Sequence, residues 1–239
     1  MLDLAGRLGI TLTCFTTADY AEHCPGDMAR VGERHEVASH GFYHSSFEDD
    51  DLKKSKDALE RISGQSVTSF RRARFAPTDE CAIRDAGYTV NSSSNPIWLP
   101  GRYNNLRAPR LPHESADAPG LLNMPISASP VLRVPLFWLA IKNLPMPLIR
   151  SASRRCLERD GYLNIFFHPW EFCDLDGFGL PGVVTRRQGQ TMLDRLERYL
   201  TWLQPQGEFV TFREYAGVSD PGRSHRRDAE DAEMNKPAR

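Results

Sequence analysis

The chain has no C-x2-C pair. Its five cysteines (Cys14, Cys24, Cys81, Cys156 and Cys173) are odd in number and scattered, which excludes a disulfide framework and a structural zinc knuckle. A surplus of either charge is also missing. Thirty Lys plus Arg stand against 31 Asp plus Glu, so no global field recruits nucleic acid or an anionic membrane. Long hydrophobic runs are absent too. The most apolar stretch, 131–149, is broken by Arg133, Pro135, Lys142, Pro145 and Pro147, whereas a membrane-spanning helix needs about 20 uninterrupted apolar residues. That stretch packs inside the domain; its other use would be as a surface platform touching lipid. No basic segment followed by an apolar core and a cleavage site comes after Met1, and no repeat is found. On these grounds the expected location is cytoplasmic.

What is present suits one α/β domain. At 239 residues and 40% hydrophobic content, the chain is long enough to bury a single core. Residues 2–9 read as a short amphipathic helix stopped by Gly9, and 10–16 as a strand rich in β-branched residues. Helix over 19–32, strand over 35–39, helix over 48–63 with Gly64 after it, strand over 67–71, helix over 78–86 and strand over 88–91 follow. Short strand, glycine stop and ten-residue helix in alternation are the pattern of stacked βαβ units, hence a parallel sheet or barrel. Further along, 151–160 and 191–203 read as helices, with 162–167 and 208–212 as strands. Residues 92–125 lose periodicity and form a long functional loop. Their Trp98, Arg102, Tyr103, Arg107 and Arg110 suggest a wall against substrate. From about Gly217 the chain is polar and charge-mixed, a disordered tail over 217–239.

The chemistry is expected at the carboxyl ends of the strands, where loops of such folds converge. His40 and His44 follow the strand 35–39, in a turn or helical start that puts positions i and i+4 on one face. Two neutral imidazoles there can share a divalent metal, or be plain surface histidines. Arg71 and Arg74 follow 67–70, Asn91-Ser92-Ser93 follows 88–90, and His168-Pro169-Trp170-Glu171 follows 162–167. Each has a dull reading, as solvated arginines, an Asn-Ser cap and a structural histidine. Four at successive strand ends are harder to set aside.

These residues resemble the polysaccharide deacetylases of carbohydrate esterase family four, in a bacterial branch with an HPWE-type ending. The likeness runs from Leu2 to about Tyr215, a deacetylase-like domain over 1–216. The family's H-[ST]-x-x-H metal motif is similar to His40-Gly41-Phe42-Tyr43-His44, with glycine at the second position. Its arginine motif resembles Phe70-Arg71-Arg72-Ala73-Arg74, without the usual proline. Its leucine-x-histidine motif corresponds to Phe166-Phe167-His168.

The resemblance implies a distorted (β/α) barrel of fewer than eight strands and a divalent metal, zinc in type. The implied reaction is hydrolysis of an N-acyl group, acetyl or formyl, on an amino sugar of surface-polysaccharide or glycolipid assembly. The substrate would be a glycan or a nucleotide- or lipid-linked sugar. It further implies His40 and His44 as metal ligands, His168 as the general acid, Arg71 as the group orienting a catalytic carboxylate, and Phe166 beside the acyl methyl. Arg74, Trp98 and Trp170 are expected against substrate.

One departure stands out. The family carries an acidic motif on a strand upstream of a segment like 2–9, supplying both base and third ligand. Asp3 lies inside the first helix and Asp19 follows the strand 10–16, so neither occupies that place. The first strand is thus expected to be missing. A misassigned start is the favoured account, ahead of an inactive sugar-binding remnant or a strand lent by another chain.

Overall fold

The structure is a computed structural model and describes residues 1–99 and 103–218. Helix α1 (Leu2–Leu8) ends at Gly9, whose φ of 63° is the left-handed stop open to glycine without strain. Strand β1 (Thr13–Thr16) leads into α2 (Ala18–His23) and α3 (Pro25–Gly32). The single helix expected over 19–32 is two, because Pro25 has no N–H to continue the first and instead starts the second. Then come β2 (Glu36–Ser39), α4 (Asp50–Ser63), β3 (Ser69–Phe70), α5 (Glu80–Asp85) and β4 (Val90–Asn91).

The stretch 92–125, expected as loop, holds four two-residue strands: β5 (Trp98–Leu99), β6 (Tyr103–Asn104), β7 (His113–Glu114) and β8 (Leu122–Asn123). Two-residue strands leave no periodicity to read. Helices α6 (Trp138–Asn143), α7 (Met146–Asp160), α8 (Gly182–Thr185), α9 (Gly189–Leu203) and α10 (Phe212–Val218) complete the order. Helix α10 carries helical backbone through Val218, two residues into the stretch expected as tail. Residues 219–239, the rest of that expected tail, and Arg102 lie outside the described residues.

Six strands form one mixed sheet in the order β1-β2-β3-β4-β8-β7, parallel except for the β7–β8 pair. The α/β expectation holds. Among the described residues the ladder does not close on itself: β1 and β7 are edges. The segments 162–167 and 208–212, expected as strands, join no ladder, and Phe212 instead begins α10. Residues 162–167 are fixed by single bonds instead, Ser127 N to Asn164 O (2.9 Å) and Trp138 N to Phe166 O (3.1 Å). Residues 208–212 pass the outer edge of β1, touching it through Thr11 Oγ1 to Phe209 O and Phe212 N to Thr13 Oγ1 (3.0 Å).

The core lies on both faces. Val37, Phe70, Leu52, Leu59, Ile83 and Tyr88 pack α2–α5 against one side, each large apolar side chain contributing about 1.5–3 kcal/mol by leaving water. Leu4, Ile10, Ile149, Met192, Leu196 and Tyr199 hold α1, α6, α7 and α9 together on the other. A smaller cluster of Ile97, Ile126 and Phe137 meets Phe75 and Phe166 beneath the strand ends. No helix of the described residues is long and apolar enough to cross a membrane. The stretch 131–149 divides, with Leu136 and Ile141 buried and the tip residues Val131 and Leu132 74–77% exposed.

Candidate active site

Parallel pairing brings the strand ends into line. Thr16 faces Ser39, Ser39 faces Phe70, Phe70 faces Asn91, and Asn91 faces Asn123. The residues that follow therefore stand side by side at the carboxyl edge. His40 N donates to Thr16 O, Arg71 N to Ser39 O, Ser92 N to Phe70 O and Met124 N to Asn91 O, all at 2.8–2.9 Å. The ladder itself thus sets His40, Arg71 and Ser92 in adjacent rows.

His40 and His44 meet with ring centroids 5.6 Å apart and planes at 53°. A turn brings them together, not a helix. Gly41 sits at φ 87°, a conformation that strains any residue with a Cβ, which accounts for glycine where the resembled motif has Ser or Thr. The turn is pinned at both sides. Gly41 N donates to Ser39 Oγ (3.2 Å), while Ala18 N and Asp19 N at the start of α2 donate to Gly41 O and Phe42 O (both 3.1 Å). His40 Nδ1 lies 2.6 Å from Arg71 O, and a carbonyl only accepts, so Nδ1 carries the proton and Nε2 is free. Burial pushes the His40 imidazole down to about 4, and burial followed by the Arg74 charge lowers His44. Both rings are neutral near pH 7, the form that ligates metal.

Two such nitrogens suit a tetrahedral ion at about 2.0–2.1 Å each, and the Arg71 carbonyl supplies the outer bond that ligating histidines usually have. The donor set stops there. Among the described residues no third His, Cys, Asp or Glu joins the pair in a group able to hold a metal ion. The residues present do not make a complete zinc site.

Arg71 is buried in aromatic walls. Its guanidinium carbon lies 4.1 Å from the Phe15 ring centroid, and 5.5–5.8 Å from those of Phe75, Phe166 and Phe212. Its hydrogen bonds go to Ser92, Nε to the carbonyl at 3.1 Å and Nη2 to Oγ at 2.9 Å. Ser92 Oγ in turn donates to Met124 O (2.7 Å) and accepts from Asn164 Nδ2 (3.2 Å). Burial pushes the Arg71 guanidinium down to about 9, and no carboxylate among the described residues forms an ion pair with it. A buried cation without a partner anion is costly. Phe15 of β1 and Phe212, whose rings meet edge-on at 5.3 Å, supply two of its walls.

His168 closes the cluster. Its ring meets Phe166 edge-on (5.5 Å), stacks on Trp170 (5.2 Å, 20°) and meets Trp138 edge-on (5.6 Å). Phe166 stacks on Phe137 at 5.4 Å and 6°. The His168 charge acts on both His40 and His44, so the three imidazoles share one site. Of the residues singled out in the sequence, the fold gathers His40, His44, Arg71, Phe166, His168 and Trp170. Arg74, at φ 59°, is near enough for its charge to lower His44.

Trp98 stands on the β5–β6 hairpin, 59% exposed, and among the described residues it makes no ring contact with the cluster. Arg110, expected in the substrate wall, is instead paired with the buried Asp160 carboxylate. Sequence reasoning passed over the roles of Glu171, Trp138, Lys142 and Asn164. Only Glu171 left a readable trace, three residues after His168 with Pro169 between, the spacing of a capping box.

No family model matches the sequence, and no curated protein is similar to it. Solved structures do match. The allantoinase PuuE superposes with a TM-score of 0.62 at 15% identity, covering 92% of this chain and 72% of its own. A Mycobacterium smegmatis protein assigned as a polysaccharide deacetylase gives 0.59 at 15% identity, covering 90% and 74%. A Pseudomonas aeruginosa PAO1 protein with the same assignment gives 0.56 at 17%, covering 90% and 69%. The chain has the polysaccharide deacetylase fold. That fold also carries an allantoinase, so it does not by itself select a substrate. Function has to be argued from the site.

Proposed function

We propose that this deacetylase-fold chain is a hydrolase that removes an N-acyl group, acetyl or formyl, from an amino sugar. The observation that carries the proposal is the single cluster of His168, Phe166 and Arg71 beside two neutral histidines at aligned strand ends. In this reading His168 is the general acid, and its imidazolium delivers a proton to the departing nitrogen as the C–N bond breaks. Phe166, between Phe137 and Phe75, is the apolar wall for the small acyl group. Trp170 and Arg74 border the sugar. Arg71 is the receptor for a carboxylate that serves as base.

His40 and His44 are the residues for a divalent metal, zinc in type, which when bound polarises an acyl carbonyl and acidifies water. Two donors hold such an ion weakly. In this reading the third donor and the base would be acidic groups supplied from outside the described residues, with Arg71 as the receptor of the base. The exposed Val131 and Leu132 favour a sugar carried on a lipid, in the cytoplasm, over a nucleotide-linked one.

The test is acetate and formate release from acylated amino sugars. It uses the chain as given and the chain extended by any in-frame residues preceding Met1, each with and without Zn2+. Release that disappears in His168→Ala is expected. If no form releases acid, the hydrolase reading fails.

A second reading is a sugar-binding protein without chemistry. What favours it is the same pair of findings, two metal donors and an unpaired Arg71. Glycan binding unchanged by chelator and by His40→Ala, with no acid released, would establish it.

A further inference from the structure

The proposed general acid has a partner that the deacylase reading does not assign. Glu171 is the third residue of a short helical turn, Pro169–Phe172, that His168 caps. Its side chain is fully buried, and one oxygen makes two contacts. Oε1 accepts the His168 backbone N–H at 2.7 Å and lies 3.0 Å from His168 Nδ1. An oxygen already accepting an N–H meets the imidazole as an acceptor again, so Nδ1 is the protonated nitrogen. The other oxygen, Oε2, is buried with no hydrogen-bond partner.

Besides His168, a compensating charge comes from Lys142, itself fully buried. Its Nζ donates to Val184 O (2.8 Å) and sits 5.4 and 5.6 Å from the Trp138 and Trp170 ring centroids. Burial raises the Glu171 carboxyl, and the His168 bonds and Lys142 charge act against that rise. A buried carboxyl with one oxygen unsatisfied is an expensive group to keep. A glutamate used only to cap the turn would not need its second oxygen buried.

We infer that Glu171 is the positioning residue for His168. It holds the imidazole in the tautomer protonated on Nδ1, leaving Nε2 as the nitrogen open to the site. In the deacylase reading, the imidazolium's Nε2–H bond breaks as the N–H bond forms on the leaving amine. The ring is left neutral with its remaining proton on Nδ1, still bound to Glu171. Trp138 and Trp170 pack against the imidazole and fix the ring plane. The kinetic arm of this inference rests on the deacylase reading, whereas its tautomer arm does not.

The experiment is long-range 1H–15N correlation of the His168 ring in the full chain, assigned by its loss in His168→Asn, alongside steady-state kinetics. Wild type should show the Nδ1–H form. Glu171→Leu, of similar volume, removes the acceptor that faces Nδ1 and should shift the ring toward the Nε2–H form that a free neutral imidazole favours. Its kcat should fall by roughly 10²–10⁴ with KM changed by less than about threefold. Glu171→Gln keeps an acceptor oxygen at the same place, since its amide NH2 there would face the His168 N–H, and should retain the Nδ1–H form, which covers the case in which the leucine variant does not fold. An Nε2–H ring in wild type, or an unchanged tautomer in Glu171→Leu, overturns the inference. If wild type itself releases no acid, the deacylase reading falls, and the tautomer result still decides Glu171.

Discussion

The backbone carbonyl of Arg71 accepts a hydrogen bond from the His40 ring, with Nδ1 and O 2.6 Å apart. The two residues stand on neighbouring strands and are brought level by the Ser39–Phe70 register. One parallel pairing therefore both orients a candidate metal ligand and fixes which nitrogen it offers. The consequence is measurable by calorimetric titration of Zn2+ into the chain. His40→Ala and His44→Ala should each weaken binding by about tenfold or more, whereas His168→Ala should leave it unchanged. Equal loss in all three would remove His40 and His44 from their special place.

The same ring gives the stability a pH dependence. Its value in the fold, about 4, lies below the 6.5 of the free group, because burial and the Arg71, His44 and His168 charges oppose a proton there. A depressed value means that the stabilisation is complete above pH 6.5 and is lost as pH falls toward 4, the unfolded chain taking the proton first. The size is on the order of 2–3 kcal/mol. Urea midpoints at pH 7, 5.5 and 4.5 should fall steeply in wild type and less steeply in His40→Asn. Some slope should persist in the variant, since His35 and His44 are lowered as well. Parallel profiles would show that His40 protonation is not what acid exploits.

Arg110 makes a separate case. Its guanidinium is bound by Asp160 at the end of α7, with Nη2 2.7 Å from Oδ1 and both side chains largely buried. Removing one partner strands the other charge, and Arg110→Ala should cost about 3–5 kcal/mol. The double variant with Asp160→Ala should recover much of that loss. Thermal midpoints of the four chains decide it. A substrate-wall arginine would instead leave stability nearly unchanged and alter KM.

Legibility in the sequence followed the physics of each signal. Helices α1, α4 and α9 were readable because an apolar stripe repeats over several turns and glycine stops follow the first two. Strand β2 was readable from its place in the alternation of strands and helices, and all four of its residues are buried. The break at Pro25 was a local rule outweighed by a longer pattern. Strands β5–β8 were not readable, since two residues hold no period. The segments 162–167 and 208–212 have strand composition without strand pairing, because pairing depends on a neighbour and not on the segment itself. Site residues at strand ends were visible as motifs. Arg110 was misplaced because an arginine in a polar loop looks the same whether it faces substrate or a buried aspartate. The role of Glu171 was hidden by distance in kind: its importance is that Oε1 reaches Nδ1, and spacing alone cannot show which way a side chain points.

Arg71 offers the sharpest division between stability and function. With Ser92 as its hydrogen-bond partner and four aromatic rings around it, the guanidinium is desolvated without an anion to repay the cost. Methionine fills similar volume with no charge. Replacing an uncompensated buried ion by an apolar group is often neutral or stabilising, against roughly 1 kcal/mol for the Ser92 bonds lost. Arg71→Met should therefore hold or raise the thermal midpoint of the chain while abolishing any deacylase activity. Formate supplies the test of the anion-receptor role. A small carboxylate that reaches the Arg71 guanidinium should raise the midpoint of wild type in a concentration-dependent way, and should not do so in Arg71→Met. A loss of several kcal/mol in Arg71→Met would mean that the arginine is already satisfied in the fold. The proposal that a carboxylate is missing above it would then have no physical basis.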